Sequence, residues 1–188
     1  MRFLRKLFFI ILAFIVVVML LAILLPSDYS VVRSVEINKS QDAVYLRVAD
    51  LSRWKEWDPW FRPDDTDMNV IQGIAGKKGQ IRNRGEAKVS IIEAYENELV
   101  LFDRQLINPV KLHSQDSLSF EKTDIGTLVT WTSIAELDYP LGRIYGLFNK
   151  NARAGRMEAS LAALKEISES DADQPPKPVV VPAPNIPE

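Results

Sequence analysis

Residues 126–137, GTLVTWTSIAEL, are followed at 141–167 by LGRIYGLFNKNARAGRMEASLAALKEI. The first stretch alternates, with Val129, Trp131 and Ser133 on one face, as a half-covered strand does. In the second the period changes. Ile144, Leu147 and Phe148, then Met157, Leu161, Leu164 and Ile167, recur at three- and four-residue steps. That spacing predicts a long amphipathic helix, with Gly155 as a candidate kink, whose apolar stripe covers a sheet.

Upstream, strand-like runs fall at 67–73, 79–84, 86–95, 98–107, 112–121 and 126–137. Their separators are turn signals: Gly73-Ile74-Ala75-Gly76, Gly85, Glu96-Asn97, Asn108-Pro109 and Asp124-Ile125-Gly126. An earlier strand is read at Val31–Ile37. A short, partly apolar helix carrying Val44, Leu46, Val48 and Leu51 opens after an N-cap at Ser40. The tryptophan-rich stretch 54–60 reads as a short helix running into a turn, because Asp58-Pro59 and Arg62-Pro63 break regularity. The order predicts an α+β domain in which a curved antiparallel sheet grips a C-terminal helix.

The chain divides by composition into an apolar segment 1–26, a domain 27–169 and a tail 170–188. Leu7 to Leu25 is 19 residues without a charge, enough helix to span roughly 28 Å. It is too long for a signal peptide's apolar region and ends at Leu24-Leu25-Pro26 without a small-x-small cleavage site. Arg2, Arg5 and Lys6 precede it, which predicts a single-pass anchor in the cell (inner) membrane. The N-terminus is then cytoplasmic and the domain periplasmic or extracellular. Six prolines from Pro175 onward predict a tail without packed structure.

Of 23 basic residues, 20 lie beyond that cluster, against 25 acidic ones, so the domain is acidic and nucleic acid is not an expected partner. The absence of cysteine excludes disulfides, thiolate metal sites and cysteine nucleophiles. His113 is the single histidine, which argues against histidine-based metal sites, and no Gly-x-Ser-x-Gly elbow occurs. Alternation puts His113 on the exposed face with Gln115, Ser117 and Ser119. Gly73 to Gly79 lacks the Gly-Lys-Ser/Thr ending of a phosphate loop and precedes a strand, so it reads as a turn. No cofactor is expected.

The candidate ligand-binding residues are Trp54, Trp57, Trp60, Phe102, Asp116, Trp131 and Phe148. Three tryptophans at three-residue spacing present a wide aromatic surface. Large rings suit an apolar ligand, while indole N–H groups orient a polar end. The default role of the same rings is packing of the early helices against the sheet. Asp103, Arg104 and Asp116 are strand residues whose default role is a structural ion pair.

Val31 to Phe61, with Arg33-Ser34-Val35-Glu36-Ile37-Asn38, Asp42-Ala43-Val44-Tyr45 and Trp54-x-x-Trp57-x-Pro59-Trp60, resembles the START-like polyketide cyclase/dehydrase family of the SRPBCC superfamily. Gly126 to Trp131 and the closing Leu161-Ala162-Ala163-Leu164-Lys165 continue the resemblance. It implies a helix-grip fold (START/Bet v 1-like) with a cavity between sheet and helix, and it brings no universal catalytic residue. Gly155-Arg156-Met157-Glu158 departs from the usual Gly-x-x-Phe-Glu. The expected function is a membrane-tethered binding module for a small hydrophobic or amphipathic ligand, lipid- or polyketide-like. The alternatives are a cyclase/dehydratase-like enzyme using Asp103, Asp116 or a nearby arginine, and a non-catalytic scaffold.

Overall fold

The structure, a computed structural model, describes residues 2–61, 69–84, 87–106 and 112–170. The expected tail beyond Ser170, and the turns expected at Gly85 and Asn108-Pro109, lie outside them.

The apolar segment forms helix α1, Arg2–Ile23, which includes the basic residues at its start. By length and composition it suffices to cross a membrane, a property it shares with signal sequences. The helix ends two residues earlier than the apolar run. Leu24 and Leu25 donate to Leu21 and Ala22 in a closing turn, and Pro26 disfavours helix at the residue before it.

After four residues the chain enters β1, Asp28–Ile37, three residues longer than its apolar pattern because Asp28, Tyr29 and Ser30 pair with Glu136, Ala135 and Ile134. Helix α2 spans Gln41–Ala49, with Ser40 at the N-cap position but without a capping bond from its hydroxyl. Helix α3, Trp54–Trp57, is a single turn, and Pro59–Phe61 adds a 3₁₀ turn. Six strands follow: β2, Asn69–Gln72; β3, Ile81–Arg84; β4, Ala87–Tyr95; β5, Leu99–Leu106; β6, Leu112–Lys122; and β7, Thr127–Glu136. Helix α4, Leu141–Ser170, runs unbroken through Gly155.

All seven strands join one antiparallel sheet in the order β1-β7-β6-β5-β4-β3-β2. The fold is thus the expected helix grip. Alternation sorts β5, β6 and β7 into buried and outer faces, so Val100, Phe102 and Arg104 join Ser114, Asp116, Leu118, Phe120, Val129, Trp131 and Ser133 inside. Register aligns Ile91, Phe102, Asp116, Ser133 and Val31 across five strands. The β4–β5 turn places Asn97 at φ 62°, a left-handed conformation that asparagine tolerates better than most residues. The β6–β7 turn crosses the end of β1 so closely that a Cβ on Gly126 would stand 2.1 Å from the Ile37 carbonyl oxygen, which requires glycine there.

The covering stripe of α4 differs from its apolar pattern. Met157, Leu161 and Leu164 face inward as expected, but the first half buries Gly142, Gly146, Asn149 and Arg153 instead of Leu147 and Phe148. The helix axis lies close to the chain after β7: a Cβ on Gly146 would come within 2.4 Å of Leu137. That approach fixes the helix rotation and turns Leu147 and Phe148 outward, Phe148 being 76% exposed.

Candidate polar site under the helix

Two kinds of side chain meet between sheet and helix. The aromatic kind is packed. Trp54 lies 5.2 Å from Trp57, 5.5 Å from Phe61 and 5.0 Å from Phe102, ring centre to ring centre, mostly edge to face. Trp131 closes the cluster at 6.1 Å from both Trp57 and Phe102. The indole N–H of Trp54 donates to the Val48 carbonyl at 2.7 Å and that of Trp57 to Arg47 at 3.4 Å. Their polar ends are therefore committed to the backbone of α2.

The polar kind is a cluster of buried charges. Asp116, on β6, accepts from Ser133 Oγ at 2.7 Å, from Trp131 Nε1 at 3.1 Å and from Arg153 Nη2. Arg153, from α4, also donates to Ser133 Oγ at 3.3 Å. Arg104, from β5, stands 3.8 Å from Asp116 and 3.7 Å from Asp58, beyond hydrogen-bond reach of each. Its guanidinium sits within 6.0 Å of the rings of Trp60, Phe61, Phe102 and Trp131. Asp58, just after α3, accepts from the Trp60 backbone at 3.0 Å and from Ser160 Oγ at 3.2 Å. At one side Arg156 lies 4.9 Å from the Trp60 ring and donates to Asn149, whose amide donates to Tyr29.

Burial costs these cations solvation. It is the chief cause that pulls the Arg104 pKa down to about 10, aided by repulsion from Arg153 and opposed by Asp116 and Asp58. Burial, with Arg153, lowers that of Arg156 in the same way. The Tyr29 hydroxyl is pushed up, again chiefly by burial.

Of the expected site residues, Phe102, Asp116 and Trp131 line this cluster, Trp60 borders it half-buried, and Trp54 and Trp57 stand behind it. Phe148 is not brought into this cluster and points outward from α4. Asp58, Ser133, Asn149, Arg153 and Arg156 were not anticipated. Their signal was a polar residue in the apolar phase: Ser133 two after Trp131, and Arg153 and Asn149 four and eight before Met157. Grooves lined by described residues also run along β1 and α4 beside Arg33, Val35, Leu161 and Lys165, and where α1 meets the domain beside Pro26, Leu137 and Arg143.

A separate pair lies on the outer face of the sheet. His113 Nε2 contacts Asp103, and its Nδ1 lies 3.6 Å from Glu136. Asp103 and Asp116 are thus on opposite faces and do not share a site. Burial works against the charged imidazole, but Asp103 and then Glu136 outweigh it and raise the His113 pKa above 6.5. Because the folded value is the higher one, the stabilisation is present below pH 6.5 and is lost as pH rises through the folded pKa. The melting temperature of wild type over His113→Gln should therefore show its widest gap near about pH 5 and a closing gap by about pH 8. A gap that widens with pH contradicts this pairing.

The profile of the family described as polyketide cyclase / dehydrase and lipid transport matches residues 28–169. No curated protein sequence matches the chain. Among solved structures, the di-domain ARO/CYC BexL from the BE-7585A biosynthetic pathway is similar over 77% of this chain and 51% of its own, with TM-score 0.60 and 13% identity. An uncharacterised protein from Rhizobium leguminosarum is similar over 77% of this chain and 96% of its own, with TM-score 0.57 and 14% identity. A protein from Nitrosospira multiformis is similar over 76% of this chain and 97% of its own, with TM-score 0.54 and 20% identity. At such identities these likenesses concern the fold. The profile match spans most of the chain, from the start of β1 to the last turn of α4, and by it the chain belongs to the polyketide cyclase / dehydrase and lipid transport family.

Proposed function

We propose that the chain is a membrane-tethered binding module for a small hydrophobic or amphipathic molecule, lipid- or polyketide-like. The observation that carries this reading is a guanidinium, Arg104, held under aromatic rings between sheet and helix, with two N–H groups that make no hydrogen bond among the described residues and have only carboxylates at 3.7 and 3.8 Å. A buried polar group without a partner costs roughly 1–3 kcal/mol, and more when charged. A domain built only for packing gains nothing from keeping one. Ring surfaces beside a polar anchor are the usual composition of a site for an amphipathic guest. Helix α1 supplies the tether, with the domain outside the cytoplasm, because Arg2, Arg5 and Lys6 precede the apolar run.

The test is native mass spectrometry of the full chain extracted in detergent, followed by titration with a fluorescent fatty acid. The expected result is a co-purifying small molecule and saturable binding of the probe after its removal. A protein that carries nothing and never saturates sinks the binding reading. The tether is tested apart: the chain should resist alkaline carbonate extraction from membranes and lose that resistance without residues 1–26.

A further inference from the structure

The outward side of α4 changes character along its length. In the first two turns it carries Leu141, Leu147 and Phe148, with Ile144 half-buried among them; Leu141 is 69% exposed and Phe148 76%. Eighteen residues later, five turns of helix, the same four phases hold Ala159, Ala162, Lys165 and Glu166. One side of one helix is therefore apolar at its start and polar beyond. A cluster of large apolar side chains turned away from the core marks a contact surface.

What lies beside that cluster points to its partner. The last turn of α1 packs on the domain just where α4 begins, with Ala22 buried. Tyr139 donates to the Met19 carbonyl at 2.9 Å, and Arg143 to those of Ile23 and Leu25 at 3.3 and 3.4 Å. Met19 stands four residues, about 6 Å, inside the end of α1. A side chain bonded there reaches the level of the last turn of the span. Arg143 and Lys150 flank the apolar face two turns apart. Tyrosine, and long cations whose stems lie along apolar surface, are the residues that favour the boundary between lipid and water.

We infer that the start of α4 is a second membrane contact. Tyr139, Leu141, Leu147 and Phe148 sit in the interface of the bilayer that α1 crosses, and Arg143 and Lys150 lie among the lipid phosphates. The inference rests on the tether reading above and adds the orientation of the domain. Two helical turns bind lipid weakly by themselves, but α1 holds them beside the surface at high effective concentration. Seated this way, the groove between Pro26, Leu137 and Arg143 opens toward the lipid.

The chain has no cysteine, so single cysteines can carry a spin label. The experiment uses the full chain in phosphatidylcholine nanodiscs, labelled at Leu12→Cys, Leu141→Cys, Phe148→Cys or Ala159→Cys. Collisions with oxygen, which concentrates in lipid, are compared with those of a water-soluble nickel chelate. Labels at Leu141→Cys and Phe148→Cys should favour oxygen and meet the chelate at least about tenfold less often than Ala159→Cys. Should a label unseat α4, the unlabelled thiols supply a second reading: a charged maleimide should react more slowly at Leu141→Cys and Phe148→Cys than at Ala159→Cys. If Leu12→Cys lies in lipid while Leu141→Cys and Phe148→Cys behave like Ala159→Cys, the inference is overturned and the tether stands. If Leu12→Cys itself meets the chelate, the tether reading falls and the inference with it. Shielding of Leu141→Cys and Phe148→Cys from both reagents means that protein covers the face and also overturns the inference. Mutual broadening of the labels then identifies a second copy, and exposure on removal of residues 171–188 identifies the tail.

Discussion

Replacing Asp116 with leucine is expected to destabilise the domain by about 3–5 kcal/mol, the cost of leaving a buried charge without its partner. Asp116 is 2% exposed, and its carboxylate receives bonds from three side chains on two elements: Ser133 and Trp131 on β7 and Arg153 on α4. Without it, Arg104 and Arg153 face each other across the interior with Asp58 as the nearest anion, 3.7 Å from Arg104. Urea unfolding of the full chain, followed by tryptophan emission, measures the loss. Asp116→Asn keeps an acceptor for Ser133 but not the charge, and should fall between wild type and leucine. The double change Asp116→Leu with Arg153→Met should restore part of the lost stability, since an apolar pair can replace a buried ionic one. A single-site loss below about 1 kcal/mol would falsify the assignment of Asp116 as the hub.

The second large effect is expected at Trp54. It is fully buried, touches Trp57, Phe61 and Phe102, and ties α3 to α2 through its bond to Val48. Trp54→Ala should cost about 3–5 kcal/mol through lost contacts and the cavity left behind. Trp54→Phe keeps much of the ring contact but leaves the Val48 carbonyl without this donor, and should cost about 1–3 kcal/mol. Phe148→Ala, on the outer face of the same assembly, should change stability by no more than about 0.5 kcal/mol. The contrast matters because both residues are large aromatics that the sequence pattern assigns to the space between sheet and helix. Equal losses at Trp54 and Phe148 would overturn the helix rotation described above.

The alternation of β7 and the three- and four-residue spacing from Met157 to Leu164 were enough to read the grip, because burial there is apolar and therefore periodic in hydropathy. The first half of α4 was not legible in the same way. Its inward residues are Gly146, Asn149 and Arg153, whose burial depends on a close approach to Leu137 and on partners far along the chain. Hydropathy scores Leu147 and Phe148 as the inner face, and tertiary packing overrides it. Arg104 was visible as a strand residue in the apolar phase, between Phe102 and the end of β5. What the sequence could not supply was register: only the pairing of β5 with β6 brings Arg104 beside Asp116. Asp103, its neighbour, faces the opposite way because successive strand residues alternate faces.

The connection between α1 and the sheet has a mechanical consequence. Residues 24–27 span at most roughly 14 Å when extended. They are also pinned, by Leu137 donating to Ser27 and Arg143 to Leu25, and the end of α1 is held by Tyr139 donating to Met19 and Arg143 to Ile23. The other exit from the fold, the end of α4, lies by the far end of β1, where Glu169 receives the Asn38 amide. Tension applied between the two exits therefore runs lengthwise along β1. That strand is paired with β7 over ten residues, and the load meets the ladder in shear, with its hydrogen bonds strained together rather than unzipped one at a time. Pulled from its helix, the domain resists along the direction in which its sheet is strongest.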